Sequence, residues 1–234
     1  MPNLYDPIQN PGPLQDQDRP TPQMIVDDIH DWIVWELRTT VNSNTTDEHQ
    51  LYGAWTTFLH EAFPPSGRFL ISPQAPLRRV VEENEQDDSD TSFGSTGALH
   101  EAKHLPGREV EKLYPDFVAH KVFVQASPVR VRRILALVEL KINEQALTER
   151  GHAQMLGYMH RASSHPNRET NLKGYLICGD KLWNYRLVDD DPNDLGQVRF
   201  NRKPRNIFID SANEGVELAQ ELAAVAAKNW NDPA

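Results

Sequence analysis

The stretch Ile134-Leu135-Ala136-Leu137-Val138-Glu139-Leu140-Lys141, read with the upstream Tyr114-Pro115-Asp116, organises the rest of the chain. Five apolar residues in a row are long enough for a buried strand, and the run ends in acid, apolar residue, lysine. Successive side chains of a strand point to opposite faces, so Glu139 and Lys141 share one face while Leu140 points to the other. Charge at the end of a core strand is costly unless a partner, a metal or a substrate meets it.

Counting identifies the partner. If Phe117 to Gln125 and Val129 to Leu140 form a hairpin turning at Ser127-Pro128, residues whose numbers sum to 255 face each other, which sets Asp116 opposite Glu139. Opposed residues of an antiparallel pair have Cβ atoms about 4.5–5.5 Å apart. Two carboxylates at that spacing repel unless a hard cation lies between them.

Working outward, Thr21-Pro22 is a helix start, with threonine as N-cap and proline at the first position. Ile25, Ile29, Trp32, Ile33 and Leu37 predict one helix to about Val41. A second, from about Asp47 to Ala62, carries Leu51, Trp55, Phe58, Leu59 and Ala62 at helical spacing and is stopped by Pro64-Pro65. A short strand, Arg68 to Ser72, precedes the hairpin. A helix from about Glu144 to Arg161, capped by Asn143, follows it. Lys173 to Cys178 and Leu182 to Val188 read as strands around the turn Gly179-Asp180. Asn206 to Asp210 reads as a strand and Glu214 to Trp230 as a closing helix. The expected architecture is α/β, a central mixed sheet with helices on both sides.

The polar segments lie outside this framework. Residues 1–23 hold six prolines and read as a disordered arm, while 24–230 read as a single domain. Within it, residues 82–90 contain six acids and run into a Gly/Ser/Thr stretch, giving a mobile acidic loop at about 82–97. Arm and loop account for most of the net charge of −10, leaving about −2 for the body, which argues against non-specific coating of nucleic acid. Basic residues form three clusters, Arg78-Arg79, Arg130/Arg132/Arg133 and Arg199/Arg202/Lys203/Arg205. Each is able to follow a phosphate backbone or simply to be solvated. The single Cys178 permits no internal disulfide. No apolar run is long enough to span a bilayer and no signal peptide is evident. The expectation is an intracellular protein without membrane contact, nuclear or cytoplasmic, acting alone, as a homo-oligomer or in a larger complex.

Pro115-Asp116 with Glu139-Leu140-Lys141 resembles the two named motifs of the PD-(D/E)xK nuclease superfamily, and Gln154-Met155-Leu156-Gly157-Tyr158 resembles the glutamine-x-x-x-tyrosine motif of its RecB-like branch. The resemblance covers roughly residues 45–180. It implies a restriction-endonuclease-like αβββαβ core with extra terminal helices, and a Mg²⁺- or Mn²⁺-dependent hydrolase cutting phosphodiester bonds of nucleic acid, DNA rather than RNA. Asp116, Glu139 and the backbone carbonyl of Leu140 would be the metal ligands. Lys141 would orient or deprotonate water, while Gln154 and Tyr158 would position the strand. Arg150, one turn before Gln154, would contact phosphate. The family's acid on an early helix is sought at Glu61, with Glu36 as the other candidate.

Two alternatives compete. One is a catalytically inactive binding or scaffold module of the same fold. The other is a zinc metallohydrolase built on His100-Glu101-Ala102-Lys103-His104, whose two histidines would share a helix face. His120, on the face of Asp116, and His152 are left unassigned.

Overall fold

The computed structural model describes residues 19–43, 47–77, 113–123, 131–142, 145–188, 197–207 and 217–231. In chain order the elements are α1 (Pro22–Asp27), α2 (Asp31–Asn42), α3 (His49–Ala62), β1 (Phe69–Pro73), β2 (Phe117–Phe123), β3 (Val131–Lys141), α4 (Gln145–Ser163), β4 (Arg168–Cys178), β5 (Lys181–Val188), β6 (Gln197–Phe200), β7 (Arg205–Asn206) and α5 (Glu217–Lys228). The acidic loop, the His100 to His104 segment, the Asn143 cap, Ser127-Pro128 and Arg78-Arg79 lie outside the described residues.

The expected first helix is two helices. Thr21 caps α1 through its side-chain oxygen, which accepts from the Met24 N–H at 3.2 Å, and Pro22 follows it. The chain leaves helical geometry after Asp27-Asp28, two acids where the helix dipole disfavours them. A spacing of four drifts by about 40° per step against the 3.6-residue turn. The break resets that drift, and Ile25, Ile29, Ile33 and Leu37 all reach the core. Trp32, placed on the apolar stripe by its spacing, is instead exposed, as is Trp35.

The strands form a mixed, mostly antiparallel sheet in the order β1-β2-β3-β4-β5-β6, with β7 also on β5. Only β3 and β4 pair in parallel among the described strands. A parallel pair needs a crossover connection, and α4 supplies it. Helix α4 covers one face, burying Met155, Tyr158 and Met159 with Val118, Leu137, Leu176 and Tyr185. The other four helices cover the opposite face, over Phe117, Ala119, Val138, Leu140 and Ile177. Strand β6 had no counterpart among the sequence expectations, and β7 includes Asn206, the start of the strand expected at Asn206 to Asp210, of which residues 208–210 lie outside the described residues. Among the described residues no helix is long and apolar enough to cross a membrane.

The hairpin register departs from a regular ladder at one point. Phe117, Val118 and Ala119 pair with Val138, Leu137 and Ala136, as the count to 255 requires, but His120 pairs with Ile134. Leu135 is the extra residue of a β-bulge. The bulge places consecutive Leu135 and Ala136 in the same apolar cluster and lets Ile134 and Leu137 both face α4. Beyond the bulge the described pairs sum to 254 instead of 255, although the half beside Asp116 keeps the expected pairing.

Helix α4 lies tight on β4. A Cβ at Gly174 would meet the Met155 and Met159 sulfurs at 2.8 and 2.9 Å and the Tyr185 Cβ at 3.2 Å. Gly174→Val is expected to cost about 1–3 kcal/mol by overpacking. Urea denaturation measures it, and an unchanged midpoint would contradict this contact.

Candidate functional site

Asp116 stands one residue before β2, and Glu139 and Lys141 close β3. All three are nearly sealed from solvent, with relative exposures of 6, 2 and 8%. Backbone groups hold the acids together. The Leu140 N–H donates to Asp116 Oδ2 at 2.6 Å, and the Asp116 N–H donates to Glu139 Oε2 at 3.2 Å. The N–H and C=O of one strand residue point to the same side. Since the Leu140 N–H points to Asp116, its carbonyl does too.

Lys141 Nζ lies 2.9 Å from Glu139 Oε1 and 3.3 Å from Glu48 Oε2. Burial by itself would lower the Lys141 pKa, but Glu139 first, then Asp116 and Glu48, raise it above the ordinary value. The ammonium is therefore charged at neutral pH, which fits it to orient water and offset negative charge better than to accept a proton. Burial, and next the adjacent Asp116 charge, push the Glu139 carboxyl up to about 7 against the pull of Lys141. Three carboxylates, those of Glu139, Asp116 and Glu48, act on one ammonium, so among the described residues the centre is short of positive charge.

Tyr158 joins the site. Its hydroxyl donates to the Tyr114 carbonyl at 3.1 Å, and its pKa is raised by burial and by the nearby Glu139 and Asp116 charges. Gln154 and Arg150 lie one and two turns back on α4 and are exposed. The helix brings them to one side of Tyr158 by spacing alone. His120 is turned to Ser72, 3.4 Å away, and burial lowers its pKa to about 4. His152 belongs to an aromatic group with Trp183, Tyr185 and Phe200.

Glu61 does not reach the site. It sits nine residues beyond Tyr52 on α3, about 13 Å along the axis, and Tyr52 is the residue of α3 that touches Asp116. Glu36 is exposed on α2. The reason lies in chain direction. Helix α3 leads through a short turn into the start of β1, while the end of β1 pairs beside Asp116, Pro73 against Phe117. The start of α3 therefore faces the acids, and its acid there is Glu48. The signal available was the Glu48/Tyr52 spacing of four at the head of the second expected helix.

The remaining contacts of Asp116 come from residues not singled out by sequence. The Tyr52 hydroxyl donates to Asp116 Oδ1, and the Gln74 N–H donates to the Asp116 carbonyl at 2.9 Å. Among the described residues no three His, Cys, Asp or Glu side chains are grouped to hold a metal. Asp116, Glu139 and the Leu140 carbonyl are three hard oxygen donors. That set fits Mg²⁺ or Mn²⁺, of which magnesium keeps several waters, and not a nitrogen- and sulfur-seeking ion.

A carboxyl with a raised folded pKa keeps its proton after the unfolded chain has lost its own, so its contribution to stability is lost as pH rises through that window. For Glu139 the window runs from its ordinary 4.5 to about 7. Thermal melts in chelator are expected to show wild-type stability falling across it relative to Glu139→Gln. Parallel curves for the two proteins would contradict the assignment.

Comparison with known protein families, curated proteins and solved structures returned no match.

Proposed function

We propose that this chain is a metal-dependent nuclease of the PD-(D/E)xK kind, hydrolysing phosphodiester bonds of nucleic acid, DNA rather than RNA. The observation that carries the reading is the burial of Asp116 and Glu139 against each other at adjacent strand ends, with Lys141 on the same face. The order α3-β1-β2-β3-α4-β4 supports a restriction-endonuclease-like core, and the contact of Tyr158 with this centre supports the RecB-like branch.

Asp116, Glu139 and the Leu140 carbonyl would hold Mg²⁺ or Mn²⁺. The ion, when bound, supplies Lewis acidity toward phosphate oxygen and lowers the pKa of water. Lys141 places a fixed positive charge beside the reacting phosphate, where charge that develops in the transition state gains most. Glu48 also pairs with that ammonium. Tyr158 limits the freedom of the Tyr114-Pro115-Asp116 turn by holding the Tyr114 carbonyl. Gln154 and Arg150, exposed on α4, are assigned to the substrate strand. Lys181, Arg202 and Lys203 are exposed at the end of the sheet where Lys141, Cys178, Lys181 and Asn206 pair in one row. They offer phosphate contacts on the way from the site to the sheet edge.

The test is cleavage of labelled single- and double-stranded DNA and RNA in Mg²⁺ or Mn²⁺. Wild type is expected to cut, with Asp116→Ala and Lys141→Ala reduced by about 10²–10³-fold or more. A folded wild type that cuts none of these substrates would leave the binding or scaffold module as the better reading.

A further inference from the structure

Asp116 is the only ligand proposed above that does not lie in a strand. Its carboxylate must be aimed by something other than the ladder. The contacts that aim it come from two separate elements. Tyr52 on α3 donates its hydroxyl to Asp116 Oδ1, with its ring fixed edge-on against Phe117 at 5.5 Å and against His49 at 5.3 Å. Gln74, just after β1, donates its backbone N–H to the Asp116 carbonyl and a side-chain hydrogen bond links it to Tyr52.

Gln74 makes both contacts from a left-handed backbone, φ 47°. A residue with a Cβ adopts that region at a cost, commonly where surrounding contacts require it. A glycine would occupy the turn with less strain, but it has no amide to offer Tyr52. The strain and the hydrogen bond are thus linked in one residue. The Leu140 N–H takes Asp116 Oδ2, so both carboxylate oxygens are held from outside. Each oxygen has a second lone pair. A bound cation would use those second lone pairs.

Resting on the nuclease reading, we propose that Tyr52 and Gln74 are positioning residues that aim the Asp116 carboxylate and thereby set the affinity of the site for its divalent cation. Groups that hydrogen-bond to metal ligands typically contribute 10–100-fold in metal affinity. A packing role alone would be almost untouched by Tyr52→Phe, which keeps the ring against Phe117 and His49.

The experiment is direct titration of the full chain with Mn²⁺, followed by electron paramagnetic resonance and calorimetry, beside thermal melts in chelator. Tyr52→Phe is expected to weaken Mn²⁺ binding about 10-fold or more, with turnover recovering at saturating Mn²⁺. Gln74→Gly is expected to weaken it in the same direction while leaving the chelated melting temperature equal or higher. Unchanged or tighter Mn²⁺ binding in Tyr52→Phe would overturn the proposal, the tighter result showing that the phenol competes with the ion. Affinity lost only in proportion to melting temperature, in both variants, would also overturn it. If Tyr52→Phe does not fold, Gln74→Gly decides alone. Absence of Mn²⁺ binding by wild type is a different result, because it removes the nuclease reading beneath this one.

Discussion

The hydrogen bond from the Leu140 N–H to Asp116 Oδ2 joins a strand to a carboxylate where the ladder would otherwise end. It requires β2 and β3 to pair so that residue 116 falls beside 139 and 140, and the pairing of Phe117 with Val138 provides this. A shift of one residue would turn Glu139 and Lys141 to the face now occupied by Val138 and Leu140, beneath four helices. The bulge at Leu135 absorbs the mismatch between this register and the one farther along the hairpin. Charged chemistry at one end and apolar packing in the middle are thus accommodated on a single strand.

Burial of that charge has to be offset locally. Asp116, Glu139 and Glu48 face one ammonium, two backbone N–H groups and one phenol. Hydrogen bonds to a carboxylate stabilise its charged form, but burial and mutual repulsion oppose this, and at Glu139 the opposition is larger. Elsewhere, buried Lys121 is met differently. It donates to the Gly67 and Trp230 carbonyls at 2.7 and 2.5 Å and lies 4.9 Å from the Phe69 ring centre. That lysine joins β2 to the end of α5 through two carbonyl acceptors. The contrast is between a charge supplied with partners by the fold and a pair of charges left one cation short.

Periodicity and pairing made the centre of the molecule legible. The apolar run into Glu139 and Lys141, the spacing of Leu51, Trp55 and Phe58, and the Gly179-Asp180 turn each report a local rule that tertiary packing obeys. What was not legible depended on direction in space. The exchange of Glu61 for Glu48 turns on which end of α3 lies over Asp116, which helical spacing does not encode. The break at Asp28 escaped because Ile25 to Leu37 satisfy a helical pattern whether or not the axis bends. Gln74 escaped because its contribution comes from a positive φ, and glutamine carries no turn signature. Strand β6, Gln197-Val198-Arg199-Phe200, alternates polar and apolar residues over only four positions, too short a run to stand out as a strand.

The same geometry explains why a single ammonium does not complete the site. Lys141 pairs with Glu139 Oε1 and with Glu48, while the Asp116 carboxylate is met by the Tyr52 hydroxyl and the Leu140 N–H. A monovalent charge there neutralises one acid and leaves the other to repel it. A divalent ion between Asp116 and Glu139 would balance both and release Lys141 from part of its pairing, making its positive charge available to a phosphate. The pairing of Lys141 with Glu48 would remain. On the proposed reading the ion and the lysine would have separate tasks, a reason for a lysine to stand beside acids that a metal alone could neutralise.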